Sequence, residues 1–104
     1  MSLVFKALSD PTRRRVLELL RKQSMSAGEL ADRFDVSKPT MSAHFAVLRE
    51  AGLVSSEKHG KSILYELQLS VLEDALLSFA QAFGWGWPAS RKTRSKRASP
   101  EISR

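Results

Sequence analysis

The sequence predicts a mainly α-helical fold with a small β-hairpin between its last two helices. Two observations indicate this order. In residues 2–52, and again from residue 70, apolar side chains recur at helical spacing after residues that favour helix starts. Residues 53–67 instead alternate around a glycine, which is typical of two antiparallel strands. The 104 residues, 42% of them apolar, suffice for one domain with a modest core.

Two helices are predicted in the N-terminal part. Residues 2–8 form a short apolar segment that we expect to be helical. Asp10 followed by Pro11 predicts the start of a second helix, because a side-chain acceptor at the N-cap and proline at the first helical position both favour initiation. This helix is expected to run to about Lys22, with three arginines near its start.

A tight pair of helices follows. Ser26 and Glu29 have the spacing of a capping box, which predicts a third helix through Phe34. A turn at residues 35–36 leads to Ser37, where a cap and a proline in the first turn predict the start of a fourth helix. Such a pair places the N-terminal turn of its second helix where it can enter a major groove of DNA.

The fourth helix has one buried and one exposed side. Met41, Phe45 and Leu48 recur at i, i+4 and i+7, which predicts a buried stripe, and Gly52 ends the helix. The opposite face is small, polar and nearly free of acids, so it could approach base edges closely. His44 borders the stripe, so it either contacts DNA or holds the helix in place. The predicted DNA contacts on this helix are Ser37, Lys38, Pro39, Thr40, Ser42, Ala43 and His44.

Residues 53–58 and 61–67 predict the two strands of the hairpin, joined by a two-residue turn at His59 and Gly60. The tip would place cations where a wing beside the helix pair crosses the DNA backbone, although these residues could also be ordinary solvated charges. The predicted contacts of the wing are Lys58, His59, Gly60 and Lys61. The order of helices, helix pair, hairpin and final helix predicts a winged helix-turn-helix.

Ser70 and Glu73 predict a capping box at the start of the last helix, which ends at Gly84. Its apolar side and that of the first helix are too large to leave exposed on so small a domain. They could close the core of a monomer, but because there are two such surfaces we prefer a two-fold interface that uses both. Such a dimer would place the fourth helices of its two copies, the recognition helices, about one DNA turn apart, so a palindromic site follows. The predicted interface residues are Leu3, Phe5, Leu8, Leu72, Leu76, Phe79 and Phe83.

The net charge of +6 is unevenly distributed. Residues 85–104 carry six basic residues and one acidic residue, whereas residues 1–84 carry eleven and ten. We therefore predict a folded DNA-binding and dimerisation domain over residues 1–84 and a basic, disordered tail over residues 85–104. The run at residues 91–97 could attract phosphates or merely keep the protein soluble. Trp85 and Trp87 could cover a dimer edge or bind an anti-repressor, a protein partner that would release the chain from DNA.

Several classes of function are excluded or unsupported. The chain has no cysteine, which excludes disulfides, thiolate metal sites and cysteine nucleophiles. The N-terminus turns polar too early for a signal peptide, and no apolar run approaches the roughly 18–20 residues of a membrane span, so we expect a soluble cytoplasmic protein without membrane insertion. His44 and His59 are the two imidazoles, and no glycine-rich phosphate loop is present. We predict no enzymatic activity and no cofactor.

Three segments carry a resemblance to a known family: FKALSDPTRRRVLELL, SKPTMSAHFAVLREAGLV and HGKSILYEL. They resemble the ArsR family of bacterial repressors over residues 3–83, and most of all its SdpR-like autorepressors. The resemblance implies a symmetric dimer built from the first and last helices, an inverted-repeat operator in duplex DNA, and repression by blocking polymerase. His44 matches the family's histidine. Ala43 stands where relatives often carry a basic residue or histidine, so this chain could make fewer direct contacts to base edges.

Many members of this family sense metals through cysteines before the recognition helix or through histidine and carboxylate clusters on the last helix. Here the last helix offers only Glu73 and Asp74, and adjacent residues do not face one another. We therefore predict a repressor without a metal or thiol sensor, released by a protein anti-repressor, an organic ligand or a change in repressor concentration. The alternatives are a non-specific nucleoid-type DNA-binding protein, favoured by the basic tail, and a protein-interaction module, which the acid-free helix face disfavours.

Overall fold

The computed structural model describes residues 2–84 and contains five helices and three short strands in that range. The predicted order of helices around a hairpin is confirmed. The elements are α1 (Ser2–Leu8), α2 (Pro11–Lys22), β1 (Met25–Ser26), α3 (Ala27–Ala31), α4 (Lys38–Glu50), β2 (Val54–His59), β3 (Ser62–Leu67) and α5 (Leu69–Ala82). The chain divides into two units, one ending at Leu72 and one beginning at Glu73. The predicted tail at residues 85–104 lies outside the described residues.

Three helices begin with the caps that the sequence predicts. The Asp10 carboxylate accepts from the backbone N–H of Arg13 at 3.1 Å and starts α2. At α3, the Glu29 N–H donates to Ser26 Oγ at 3.1 Å and the Ser26 N–H donates to Glu29 Oε1 at 2.9 Å, which completes a capping box. Ser37 caps α4. These local bonds satisfy N–H groups that a helix start leaves unpaired, so the helix boundaries are set by nearby sequence.

The core of the first unit lies between α2, α4 and the sheet. The predicted stripe of α4 is buried, with Met41 and Leu48 at 1% and 0% exposure and Phe45 beside them. The Phe45 ring packs against the Tyr65 ring of β3 with centroids 4.8 Å apart. The buried residues that complete this core are Ala7, Val16, Leu17, Leu20, Met25, Leu30, Leu53 and Val54. The exposed side of α4 is therefore fixed by the burial of its other side.

The sheet has three strands in the order β1-β3-β2, all antiparallel. β1, which the sequence analysis did not predict, pairs Met25 with Tyr65 and Ser26 with Leu64. A strand of two residues is too short to show alternation, so its pairing depends on where β3 lies in space. The added strand connects the helix pair to the base of the hairpin.

Two predicted boundaries in the first unit were wrong. α3 ends at Ala31 rather than Phe34, because the N–H groups of Arg33 and Phe34 bond three residues back and form a turn. His59 pairs with Ser62, so the hairpin turn is Gly60 and Lys61, shifted by one residue from the prediction. Gly60 has a φ of 62°, which glycine adopts without strain.

The last helix also differs from its prediction at its start. α5 begins at Leu69, so Ser70 lies inside its first turn and is not its N-cap. It ends at Ala82, two residues before the predicted end, and Gly84 beyond it has a φ of 70°, as is common just after a helix. No helix among residues 2–84 has the length and apolar character needed to cross a membrane.

Candidate nucleic-acid interface

The N-terminal half of α4 presents an exposed surface of small and polar side chains. The burial of Met41 and Phe45 turns the other side of the helix outward. The predicted contacts that are exposed on or beside this helix are Ser37, Lys38, Pro39, Thr40, Ser42 and Ala43. Among them Lys38 is the one charged side chain. The surface can therefore approach a polyanion closely, and it offers hydroxyl donors and acceptors to base edges and phosphates.

The hydrogen bonds at the start of α4 determine which donors remain for a ligand. Ser37 Oγ accepts from the Thr40 N–H at 3.3 Å and donates to Thr40 Oγ1 at 2.8 Å. The Met41 N–H donates to the Ser37 carbonyl. Pro39 has no N–H, so the Lys38 N–H is the backbone donor of this turn that can still bind an anion. The hydroxyl proton of Thr40 is the side-chain donor that can do so. The Lys38 ammonium group belongs to the same turn, and the three donors together are suitable for phosphate contacts.

His44 lies on the inner edge of this surface and is held by Arg13 of α2. Its side chain is 14% exposed, and its Nδ1 lies 3.1 Å from Arg13 Nη1. The same guanidinium donates to the carbonyl oxygens of Lys6 at 3.0 Å and Ala7 at 2.9 Å. Of the two roles that the sequence left open for His44, these contacts favour holding the helix in place. Sequence reasoning missed Arg13 because the two side chains are 31 positions apart.

Asp10 lies next to this cluster, with Oδ2 at 4.0 Å from His44 Nε2. Burial acts to raise the pKa of the Asp10 carboxyl. Hydrogen bonds from the N–H groups of Arg13 and Thr12, together with favourable electrostatic interactions with His44 and Arg13, oppose this effect. Together they lower the pKa of Asp10 below its ordinary value of 3.8. The carboxylate is therefore charged at neutral pH, as its capping role requires.

The wing carries all four predicted contacts at its exposed tip, but on different faces. Paired residues of antiparallel strands share a face, so Lys58 lies with Ile63, whereas His59 lies with Ser62 on the other side. Gly60 and Lys61 form the turn between them. The side chains of Lys58 and Lys61 form no hydrogen bond or ion pair with another described residue. The two lysines are therefore available to phosphates.

An acidic residue on the wing was missed by sequence reasoning. Glu57 lies on the same face as His59, and its Oε1 is 3.0 Å from His59 Nε2. The two positions are two residues apart on one strand, which is the spacing that puts side chains on one face. His59 is thus committed to an intramolecular contact on the side of the wing away from Lys58.

Apolar side chains remain exposed on α1 and α5. On α1, Leu3 is 49% exposed, whereas Phe5 and Leu8 are half-buried. On α5, Leu72 is half-buried, Leu76 and Phe79 are 36% and 44% exposed, and Phe83 just beyond the helix is 74% exposed. Leu8 and Leu72 pack against the core of the first unit. The rings of Phe79 and Phe83 lie 4.9 Å apart.

Carboxylates and imidazoles are scattered over the described part of the chain. No three histidine, aspartate or glutamate side chains within residues 2–84 lie close enough to hold a metal ion. The pairs described above, His44 with Asp10 and His59 with Glu57, are each isolated from a third ligand in that range.

Comparison with known proteins decides the family. A helix-turn-helix domain family matches residues 8–57. The chain is 45% identical to the transcriptional repressor SdpR of Bacillus subtilis over 76 residues, which are 73% of this chain and 84% of that protein. The chain belongs to the ArsR family. It is also similar to the arsenical resistance operon repressor of Staphylococcus xylosus, at 36% identity over 70% of each chain.

Solved structures agree with this assignment. The ArsR-like transcriptional regulator from Rhodococcus sp. RHA1 superposes with a TM-score of 0.70 at 35% identity, covering 80% of this chain and 77% of the other. The predicted winged helix-turn-helix and the predicted family of this ArsR-family protein are confirmed. The prediction that it is a DNA-binding regulator of transcription rather than an enzyme is confirmed with them.

Proposed function

We propose that this ArsR-family protein represses transcription by binding an inverted-repeat operator in duplex DNA as a homodimer. The observation that carries the proposal is the exposed surface of the N-terminal half of α4, which is small and polar and has one cation and no acid. Such a surface fits into a major groove without charge repulsion from phosphates. The likeness to SdpR, a transcriptional repressor, supports the repressive role.

The contacts divide into two kinds. Lys38 and the Thr40 hydroxyl are placed at the first turn of α4, where they position the helix against phosphates. Ser42 and Ala43 follow on the exposed side and face the base edges. Lys58 and Lys61 of the wing add phosphate contacts next to the helix pair. Since Ser42 is the single hydrogen-bonding side chain among the proposed base contacts, we expect shape and apolar contact with thymine methyl groups to contribute to readout.

The homodimer is supported by apolar exposure in each unit. Leu3 on α1, and Leu76, Phe79 and Phe83 of the second unit, are large apolar side chains left exposed, and a dimer interface would remove them from water. A two-fold dimer repeats the α4 surface at a fixed spacing, which selects two half-sites about one helical turn apart. This symmetry is why the operator is proposed to be palindromic.

We further propose that the repressor responds to no metal and no thiol oxidant. The chain has no cysteine, and the carboxylates Glu73 and Asp74 are neighbours at the start of α5 with no histidine close in sequence. Release from DNA is then left to a protein anti-repressor, an organic ligand or a fall in repressor concentration. The protein would act in the cytoplasm, where its DNA target lies.

Selection of bound sites from random duplex DNA tests the proposal. We expect an enriched sequence with two-fold symmetry, and protection of that sequence in footprinting. Lys38→Glu should weaken binding to the selected site by about tenfold or more, because it reverses a charge against phosphate. Lys22→Glu, at the end of α2 and outside the proposed interface, makes the same charge change as a control.

Two outcomes would contradict the proposal. Enrichment of no sequence, with equal affinity for random DNA, would assign the chain to the nucleoid-type binders instead. Equal losses for Lys38→Glu and Lys22→Glu would show that net charge, rather than the α4 surface, determines affinity.

A further inference from the structure

Arg13 lies where three helices meet and forms side-chain hydrogen bonds to two of them. Its Nε donates to the Ala7 carbonyl at 2.9 Å and its Nη2 donates to the Lys6 carbonyl at 3.0 Å, both at the end of α1. Its Nη1 lies 3.1 Å from His44 Nδ1 on α4. The side chain thus joins the end of α1 to the middle of α4, starting from the first turn of α2.

The end of α1 requires such a donor. The last carbonyl groups of a helix have no partner within the helix and carry its partial negative charge, and a guanidinium satisfies both needs at once. Arg14 does the same next to it, donating from Nη1 to the Leu8 carbonyl at 2.7 Å. Arg14 makes one such bond where Arg13 makes two, is more exposed, and forms no hydrogen bond to α4 among the described residues. The two neighbouring arginines therefore form a pair of which one member contacts α4.

The chemistry of the Arg13–His44 contact is unambiguous. A guanidinium only donates, so Nδ1 must accept and the ring proton must be on Nε2, which faces the Asp10 carboxylate at 4.0 Å. The rigid planar fork of Arg13 thus contacts three acceptors at once. The ring of His44 is thereby fixed in position and in tautomer. The charged side chains next to it are Asp10, the N-cap of α2, and Arg13 in the first turn of that helix.

We propose that Arg13 is a positioning residue for DNA recognition, which acts through His44 to hold α4 at a fixed angle to α1. His44 directly follows Ser42 and Ala43, so a shift of its ring moves the two residues placed at the base edges. The inference rests on the proposed function, because it assumes that α4 enters the groove. It adds a residue that is outside the DNA interface and reads no base.

The test compares Arg13→Lys with Arg14→Lys in the full chain, on the DNA site selected above. Lysine keeps the charge but loses the planar fork. We expect Arg13→Lys to lower affinity about tenfold and Arg14→Lys to leave it within about twofold. The slope of log affinity against log salt should stay the same in both, because neither residue contacts phosphate. His44→Ala should match Arg13→Lys, and the double variant should be no weaker than either.

A rescue variant separates positioning from general stability. In His44→Asn the side-chain carbonyl oxygen can replace Nδ1 as acceptor, so affinity should return to within about threefold of the wild type.

The outcomes decide between the two proposals. If the wild-type chain binds no selected site, the proposed function fails. If it does bind and Arg13→Lys equals Arg14→Lys, or if His44→Asn and His44→Ala are equally weak, only the inference about Arg13 is overturned. A reduced salt slope for Arg13→Lys would also overturn it, since that result indicates direct contact with phosphate. Should Arg13→Lys fail to fold, the comparison of the two His44 variants decides in the same way.

Discussion

Arg49 Nη1 donates a hydrogen bond to the hydroxyl of Tyr65 at 2.8 Å and so connects the end of α4 to the middle strand of the sheet. Tyr65 is 3% exposed and also contacts the Phe45 ring. The recognition helix is thus bound to the hairpin by one polar and one aromatic contact on the same residue. The angle between helix and wing depends on both.

The hydroxyl of Tyr65 can be tested separately from its ring. Tyr65→Phe removes the acceptor and leaves the guanidinium of Arg49 to water, so we expect the free energy of unfolding to fall by about 1 kcal/mol. Tyr65→Ala also deletes the ring and should cost about 3–5 kcal/mol. Urea denaturation of the three proteins measures both steps. Equal stabilities of Tyr65→Phe and the wild type would show that the hydrogen bond contributes nothing net.

The cap at Asp10 should give a stability contribution that depends on pH. Asp10→Ala is expected to lower the free energy of unfolding by about 1 kcal/mol at pH 7, because α2 loses its N-cap. The pKa of Asp10 is lower in the folded chain than its ordinary 3.8, so the unfolded chain takes up the proton first as the pH falls. The contribution of the charge is therefore present above about pH 4 and is lost below it, as the pH passes through the folded pKa.

Denaturation midpoints of the wild type and Asp10→Ala between pH 7 and pH 2.5 measure this loss. Asp10→Asn is the control, since it keeps a capping oxygen without a titrating charge. A difference between the wild type and Asp10→Ala that is constant down to pH 2.5 would contradict the assignment.

Two glycines give opposite predictions for the same substitution. Gly52 has a φ of 77°, so Gly52→Ala should destabilise the chain by about 1–2 kcal/mol through backbone strain. A Cβ there would meet Val71 at an ordinary 3.8 Å, so no clash adds to this cost. Gly28 lies within helix α3, and its nearest neighbour to an added Cβ is at 4.0 Å. Gly28→Ala should stabilise by about 0.5–1 kcal/mol. Thermal melts that show the same sign for both would refute the argument.

The wing lysines should contribute to affinity without contributing to sequence choice. Lys58→Ala and Lys61→Ala are each expected to weaken binding to all sequences alike and to lower the slope of log affinity against log salt by about 1. Titrations on specific and random DNA at several salt concentrations measure this. Lys22→Ala is the matched control and should leave the slope unchanged. A selective loss on the specific site would mean that the wing reads bases.

The proposed dimer can be tested at Phe83. Because Phe83 is 74% exposed, Phe83→Glu should cost the folded chain little stability. It should instead raise the dimer dissociation constant by about tenfold or more, since it puts a charge into an apolar interface. Sedimentation equilibrium measures this change. Ser78→Glu, at an exposed position on α5, is the control, and equal effects of the two would argue against an interface at Phe83.

What the sequence could predict was local. The caps at Asp10, Ser26 and Ser37 act within three residues, and the stripe from Met41 to Leu48 is set by helical period alone. The position of Gly60 in the hairpin was wrong by one residue, because the register is fixed by pairing along both strands and not by the turn alone.

What the sequence could not predict depends on contacts between distant residues. Arg13 and His44 meet because α1, α2 and α4 pack together, and no spacing in the sequence indicates it. β1 is a strand only because Met25 lies opposite Tyr65. The Glu57–His59 pair is an exception, since period 2 on a strand could have identified it.

The strand order β1-β3-β2 leaves the outer edge of β2 unpaired within the described chain. An unpaired strand edge is a template on which other chains can add strands and aggregate. β2 ends in Glu57, Lys58 and His59, three consecutive polar, ionisable side chains that oppose such addition. Neutral substitutions made here to adjust affinity would therefore also remove protection against aggregation, and solubility should be measured for every wing variant.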